Sequence, residues 1–222
     1  MLLEEDIQLR INMFTGIIQE VGKIINIQLQ EKKKYFIIAC KLLQDDLQIG
    51  ESIACNGICM TVIDFDNASI KVEAMNQTLQ TTTANIWKHN DLLHLEKALS
   101  FAGRLNGHIV QGHIDTISKV IRRFKINNTL YLEFFLDSKF NQLMVEHGSI
   151  AIDGVSLTVA VLDKSLNAFQ VALIGHTLSI TNLVNLTVGS MVNLEFDIIG
   201  KYVLNLNNKK NITEKWLIDN GF

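Results

Sequence analysis

The side chains that could move protons or act as nucleophiles fall at equivalent places in two halves of the chain. Cys59 sits in Asn56-Gly57-Ile58-Cys59-Met60-Thr61-Val62, and Ser156 sits in Asp153-Gly154-Val155-Ser156-Leu157-Thr158-Val159. Both motifs have a short polar residue, Gly, an aliphatic, a small thiol or hydroxyl, an aliphatic, Thr and Val. Each is led by a serine run, Ser52-Ile53-Ala54 and Ser149-Ile150-Ala151. Two small polar side chains and two threonines, placed alike, suit two equivalent pockets for two copies of one planar ligand. The bland reading is that Thr61 and Thr158 bond neighbouring backbone in strands. Of the six histidines, His113 is the best placed for chemistry. Imidazole titrates near neutral pH, and the preceding Gly112 lets the backbone come close to a ligand. His89 and His94 read as solvent-facing or satisfied core residues. His108 and His113 lie five apart in a strand-like run, which predicts opposite faces and no shared metal.

The elements that position these residues are also duplicated. Met13 to Ile24, with Gly16 after Thr15, is echoed by Ile109 to Val120, with Gly112 after Gln111. Thr78-Leu79 pairs with Thr177-Leu178, and Leu95-Glu96 with Leu194-Glu195, at nearly the same spacing. The interval is far beyond solenoid periods, so one domain is present twice. Asn-Gly and Asp-Gly are hairpin-turn dipeptides because those turns require positive φ. Alternating residues then predict strands over 35–40, 59–65, 69–75, 130–136, 157–162 and 169–174. Short helices are expected over 42–47, 78–88 and 138–145, the last capped by Ser138. Short, closely spaced strands suggest an all-β protein of two small closed barrels. The domain reading is an extension at 1–12, barrels at 13–108 and 109–199, and a tail at 200–222. Tyr202, Val203, Leu206, Trp216, Leu217 and Ile218 would form an apolar helical stripe there, either packed on its own barrel or forming an oligomer contact.

Bulk properties exclude several classes. The chain has 222 residues, 48% hydrophobic and 19% charged, with a formal net charge of −3, and that charge gives no electrostatic case for nucleic acid or an anionic membrane surface. No apolar run is long enough to span a bilayer. The acidic start, Glu4-Glu5-Asp6, argues against a secretory signal, so a cytoplasmic location is expected. Cys40, Cys55 and Cys59 suit a reducing compartment. The C-x3-C spacing of Cys55 and Cys59, with no second pair, points to buried or pocket thiols rather than a metal. No phosphate cradle or dinucleotide fingerprint is present.

In combination, Met13-Phe14-Thr15-Gly16-Ile17, Asn56-Gly57 with Thr61-Val62, Gly107-His108 with Gln111-Gly112-His113, Ile152 to Val159 and His176-Thr177-Leu178 resemble riboflavin synthase of the alpha-chain type. The resemblance spans about 13–205. It implies two six-stranded, Greek-key-like barrels and a C-terminal helix that holds a homotrimer. It implies a cofactor-free dismutation in which two 6,7-dimethyl-8-ribityllumazine molecules exchange a four-carbon unit, giving riboflavin and 5-amino-6-ribitylamino-uracil. A lumazine synthase capsid is a further candidate partner. By matched position, one lumazine would meet Gly16, Ile17, Ile18, Cys59, Met60, Thr61, Glu73, Ala74, Met75, Asn76, Gln77 and Thr78. The other would meet Gly112, His113, Ile114, Ser156, Leu157, Thr158, Ala172, Leu173, Ile174, Gly175, His176 and Thr177. Ser52 and His113 match residues tied to catalysis in the family, with Asp153 and Ser156 as weaker candidates. Three departures stand out. His147 replaces a lysine common in the family at a ligand contact from the adjacent subunit. Gly175 stands where proline is common, and residues 1–12 precede the usual start. The alternative is a non-catalytic lumazine- or flavin-binding antenna protein on the same fold.

Overall fold

The computed structural model describes residues 13–41, 47–100 and 103–208. Six strands form the first barrel: β1 (Glu20–Gln30), β2 (Lys33–Ala39), β3 (Ser52–Cys55), β4 (Ile58–Phe65), β5 (Ser69–Ala74) and β6 (Leu92–Lys97). They close in the order β1-β2-β5-β4-β3-β6, every described pairing antiparallel. Six more form the second: β7 (Thr116–Ile126), β8 (Thr129–Phe135), β9 (Ser149–Ile152), β10 (Val155–Asp163), β11 (Ala168–Leu173) and β12 (Met191–Phe196). Their circular order, β10-β11-β8-β7-β12-β9, is the same topology. Closure leaves no open sheet edge.

The alternation anticipated from sequence explains each wall. Along β4, Ile58, Met60 and Val62 are buried while Cys59 is half-buried and Thr61 exposed. Along β10, Val155, Leu157 and Val159 are buried while Ser156 is half-buried and Thr158 exposed. Both strands leave a tight turn whose two residues have positive φ, Asn56 and Gly57 (44° and 76°) and Asp153 and Gly154 (45° and 80°). The register shifts after Val62 in β4 and after Val159 in β10, and bulges of this kind bend strands to close a barrel.

The two cores are built alike. Ile24, Phe36, Ile38, Val62, Val72 and Leu95 fill the first, and Val120, Phe134, Val159, Phe169, Val171 and Leu194 fill the second. The opening segment of each half crosses over: Ile18 belongs to the second core, and Ile114 packs against the first. Phe14 and Val110 exchange backbone hydrogen bonds of 2.7 and 3.1 Å between the crossing segments.

Several local expectations are corrected. Residues 78–88 do not form one helix. A short helix α1 (Asn76–Thr81) is followed by a 3₁₀ turn (Thr83–Ile86), and Thr82 between them accepts from the Ala84 N–H. The expected helix over 138–145 is a single 3₁₀ turn, Ser138–Phe140. Asp137, not Ser138, caps it by accepting from the Lys139 N–H. Residues 108–113 are not a strand, their only ladder contact being the bridge of Val110 to Phe14. The extension at 1–12, most of the expected 42–47 helix and Trp216 to Ile218 lie outside the described residues. After α2 (Gly175–Ile180) and a second-barrel 3₁₀ turn (Leu183–Asn185), the chain enters α3 (Ile198–Asn208). Its Ile199, Tyr202, Val203 and Leu206 are exposed, so these four residues do not pack on their own barrel. No helix among the described residues is long and apolar enough to cross a membrane.

Candidate active site

Strand register assembles a polar row on the outside of the first barrel. Ser52 lies opposite Thr61, Thr61 opposite Glu73, and Glu73 opposite Tyr35. Directly paired residues project from the same face. The second barrel repeats part of the row, with Ser149 opposite Thr158 and Ala172 opposite Tyr131. The candidate pockets are therefore outer faces of the barrels, not their interiors.

This orientation sorts the sequence-derived residues. Thr61, Thr158, Ile17, Met75, Asn76, Gln77, Ile174, Gly175, His176, His113 and His147 are exposed, while Cys59, Glu73, Thr78, Ile114, Ser156, Ala172 and Thr177 are half-buried. The side chains of Met60, Ala74 and Ile18 point into cores, as do those of Leu157 and Leu173. These five can offer a ligand backbone only. His147 has a left-handed backbone, φ 65°, and its N–H donates to the Val159 carbonyl at 2.8 Å.

The glycines at the head of each half explain how the loops meet the strands. A Cβ on Gly16 would lie 2.6 Å from Cβ of Ser156, and one on Gly112 would lie 2.6 Å from Cβ of Cys59. Both glycines have positive φ, 75° and 79°. The Ser156 N–H donates to the Gly16 carbonyl at 2.8 Å, and the Cys59 N–H to the Gly112 carbonyl at 2.9 Å. This pairing corrects the grouping by matched position. Residues 16–18 join the Ser156 face, and residues 112–114 join the Cys59 face, because the opening segments cross between barrels.

Two buried carboxylates hold these loops. Glu96 on β6 accepts from Thr15 N–H and Oγ1 at 2.7 Å each and from Gly16 N–H at 3.0 Å. Glu195 on β12 accepts from the N–H groups of Gln111, Gly112 and His113 at 2.6, 2.9 and 3.1 Å. Burial pushes Glu195 up to about 7, against the amide bonds that favour its ionised form. Glu96 is raised for the same reason. The Glu96/Glu195 repeat is visible in the sequence, but no local pattern assigns it a task. A repeated acid at the end of an apolar strand was the available signal.

The two faces carry different chemistry. On the first, burial raises the Cys59 thiol, opposed by a hydrogen bond with Ser52, so it is a protonated thiol near neutral pH. On the second, His108 Nδ1 lies 2.7 Å from Ser156 Oγ. His108 is buried, and burial lowers its pKa, opposed by Asp197. Its Nε2 has no partner among the described residues. His108 thus reaches the Ser156 strand, whereas His113 is exposed beside Gly112, whose carbonyl meets the Cys59 N–H. Asp153 is 5% exposed in the hairpin turn, where Oδ1 accepts from the Asn193 N–H at 2.8 Å.

The sequence matches the lumazine binding domain twice, over residues 15–98 and 111–197. A riboflavin synthase of Actinobacillus pleuropneumoniae is 42% identical over 192 residues, 86% of this chain and 88% of that one. One of Bacillus subtilis (strain 168) is 37% identical over 217 residues, 95% of this chain and all of that one. Among solved structures, LumP complexed with 6,7-dimethyl-8-(1'-D-ribityl) lumazine superposes with a TM-score of 0.73 at 21% identity, over 82% of this chain and 98% of that one. LumP complexed with riboflavin gives 0.74 at 22% identity with the same coverage. At that identity the solved structures speak for the fold, and the curated relatives for the enzyme. Two lumazine binding domains in tandem, each with its glycine seated on a small polar strand residue, and full-length relatives of this kind place the chain in the riboflavin synthase family.

Proposed function

We propose that the chain catalyses the dismutation of two 6,7-dimethyl-8-ribityllumazine molecules to riboflavin and 5-amino-6-ribitylamino-uracil. One lumazine gives up a four-carbon unit and the other receives it. The 7-methyl group is a carbon acid, because its anion delocalises over the ring. The reaction then needs two rings held face to face, which is proximity and orientation catalysis, and groups that move protons. The observation that carries this reading is the intact second face. Gly16 seats on Ser156 as Gly112 seats on Cys59, whereas an antenna protein needs one working pocket.

On this reading each outer face takes one lumazine. Thr61, Glu73 and Thr78 line the first with Gly112 to Ile114, and Thr158, Ala172 and His176 line the second with Gly16 and Ile17. His113 and Cys59 serve proton transfer at one ring, with Ser52 bonded to the thiol. Ser156, oriented by His108, serves the other. The exposed stripe of α3, Ile199, Tyr202, Val203 and Leu206, supports a homotrimer, in which a Cys59 face meets the Ser156 face of a neighbour. His147 takes the place of the family's lysine at that junction with a shorter reach.

The deciding experiment is turnover. Purified protein given the lumazine should generate yellow riboflavin fluorescence with a matching uracil product. Tight lumazine binding without riboflavin would favour the antenna reading. His113→Ala should lower turnover by about 10²–10⁴-fold while changing lumazine binding little.

A further inference from the structure

The turns Asn56-Gly57 and Asp153-Gly154 meet back to back. A Cβ on Gly57 would lie 2.6 Å from the Gly154 nitrogen, and one on Gly154 would lie 2.7 Å from the Gly57 nitrogen. Around this contact four side chains form a two-fold set. Asn56 Oδ1 accepts from the His94 N–H at 2.7 Å, and Asp153 Oδ1 from the Asn193 N–H at 2.8 Å. His94 and Asn193 then cross to the opposite barrel. His94 Nδ1 lies 2.9 Å from the Asp153 carbonyl, while its Nε2 accepts from the Asn182 N–H at 3.0 Å. Asn193 Nδ2 donates to the Asn56 carbonyl at 2.9 Å, while its Oδ1 accepts from the Thr83 N–H at 2.8 Å. A carbonyl only accepts, so Nδ1 carries the proton and the ring is neutral. His94 therefore reproduces the donor and acceptor of an amide, as Asn193 does in the other half.

His94 and Asn193 are 0% exposed, Asp153 5% and Asn56 9%. A cavity of about 390 Å³ lies by Ser52, Thr15 and Glu96. Asn56 and Asp153 instead border a separate seam cavity of about 330 Å³ that includes neither Cys59 nor Ser156. Strands β4 and β10 leave this turn contact directly. Cys59 and Thr61 follow Gly57 by two and four residues, as Ser156 and Thr158 follow Gly154.

We propose that these four residues are a positioning clasp for the dismutation, and that Asp153 acts within it by its Oδ1 acceptor rather than by proton transfer. The clasp fixes where each reacting face starts, and so how two lumazines meet once the faces are joined. Asn56 performs the Asp153 task in the other half with an uncharged amide oxygen, so an amide suffices at this place. The inference rests on the two-lumazine reading above, and wild-type turnover tests that reading separately.

The test compares Asp153→Ala with Asp153→Asn, measuring riboflavin formation and, through fluorescence quenching, the binding of riboflavin itself. Asp153→Ala removes the acceptor. It should lower kcat by about tenfold or more, as misplaced reacting groups do, with the riboflavin Kd held within about threefold. Asp153→Asn keeps the acceptor and should retain kcat within about threefold. An Asp153→Asn enzyme as slow as Asp153→Ala would make the carboxylate a reacting group and overturn the proposal. So would an Asp153→Ala enzyme of wild-type rate, or one whose binding falls in step with kcat. Should Asp153→Ala fail to fold, Asp153→Asn decides alone: a loss beyond about threefold overturns the proposal, and retention supports it.

Discussion

His108 and Ser156 form a hydrogen-bonded pair, Nδ1 to Oγ at 2.7 Å, across 48 residues of sequence. The imidazole is held neutral by burial, with Nε2 left without a partner among the described residues. A pair of this kind acts as a unit, and units are non-additive under mutation. His108→Ala and Ser156→Ala should each lower turnover on the order of 10²-fold or more. The double variant should lose little beyond the worse single one. Multiplying losses in steady-state kinetics would show two independent contributions.

Gly16 and Gly112 should tolerate alanine poorly for two reasons that can be separated. Alanine at positive φ costs roughly 1–2 kcal/mol from the backbone alone. Gly189 supplies that reference, since its φ is 93° and nothing lies within 4 Å of an added Cβ. Gly16→Ala and Gly112→Ala should exceed the Gly189→Ala loss by about 1–3 kcal/mol of overpacking, read by denaturant unfolding. They should also depress turnover, because Ser156 and Cys59 must shift. Three equal losses would mean that backbone strain is the whole effect.

The clasp predicts a pH signature. Burial pushes Asp153 up to about 7 from 3.8 and His94 down to about 4 from 6.5. The His94 contribution is complete above pH 6.5 and is lost as pH falls toward 4. The Asp153 contribution is complete below pH 3.8 and is lost as pH rises through 7. The two oppose each other between about pH 4 and 6.5. Asp153→Asn removes only the second. The variant should gain on wild type as pH rises, and above pH 7 should be more stable by on the order of 1–3 kcal/mol. Glu195, also raised to about 7, is common to both proteins and drops out of the difference. Unfolding curves at pH 4.5, 6 and 8 that keep a constant gap would contradict this assignment.

The intersubunit reading predicts complementation. A chain disabled at Thr61 and another disabled at Thr158 should each form nearly inactive homotrimers. In mixed trimers some sites combine two intact faces from different chains, so co-refolding should restore part of the turnover. No recovery, in samples shown to contain mixed trimers, would mean that each chain joins its own two faces.

What was legible in the sequence is what local chemistry decides. Asn-Gly and Asp-Gly impose positive φ, and period-two alternation fixes which of Cys59, Met60 and Thr61 point outward. These are properties of neighbouring residues, so the duplicated turns and most strands could be read directly. The loop 108–113 is the opposite case. Its alternation resembles a strand, but its conformation is imposed by Glu195, more than 80 residues away. The crossing of residues 16–18 to Ser156 was hidden in the same way, since sequence spacing names equivalent partners without saying which copy supplies them. At Ser138–Phe140 the neighbours Asp137 and Ser138 are both cap formers, and composition does not say that Asp137 is the one used.

The exchanged opening segments say something about descent. Ile18 fills the second core and Ile114 packs on the first, so neither core is packed by its own half alone. A half-length ancestor would have needed a second copy to lend it that segment, in a symmetric pair of identical barrels. Fusing two such genes would then have required no new contact, only a linker. Released from identity, one copy could keep a thiol and a neighbouring imidazole at 113 while the other took a hydroxyl and an imidazole at 108. Symmetry at the turns and asymmetry at the faces are the two records that such a history leaves.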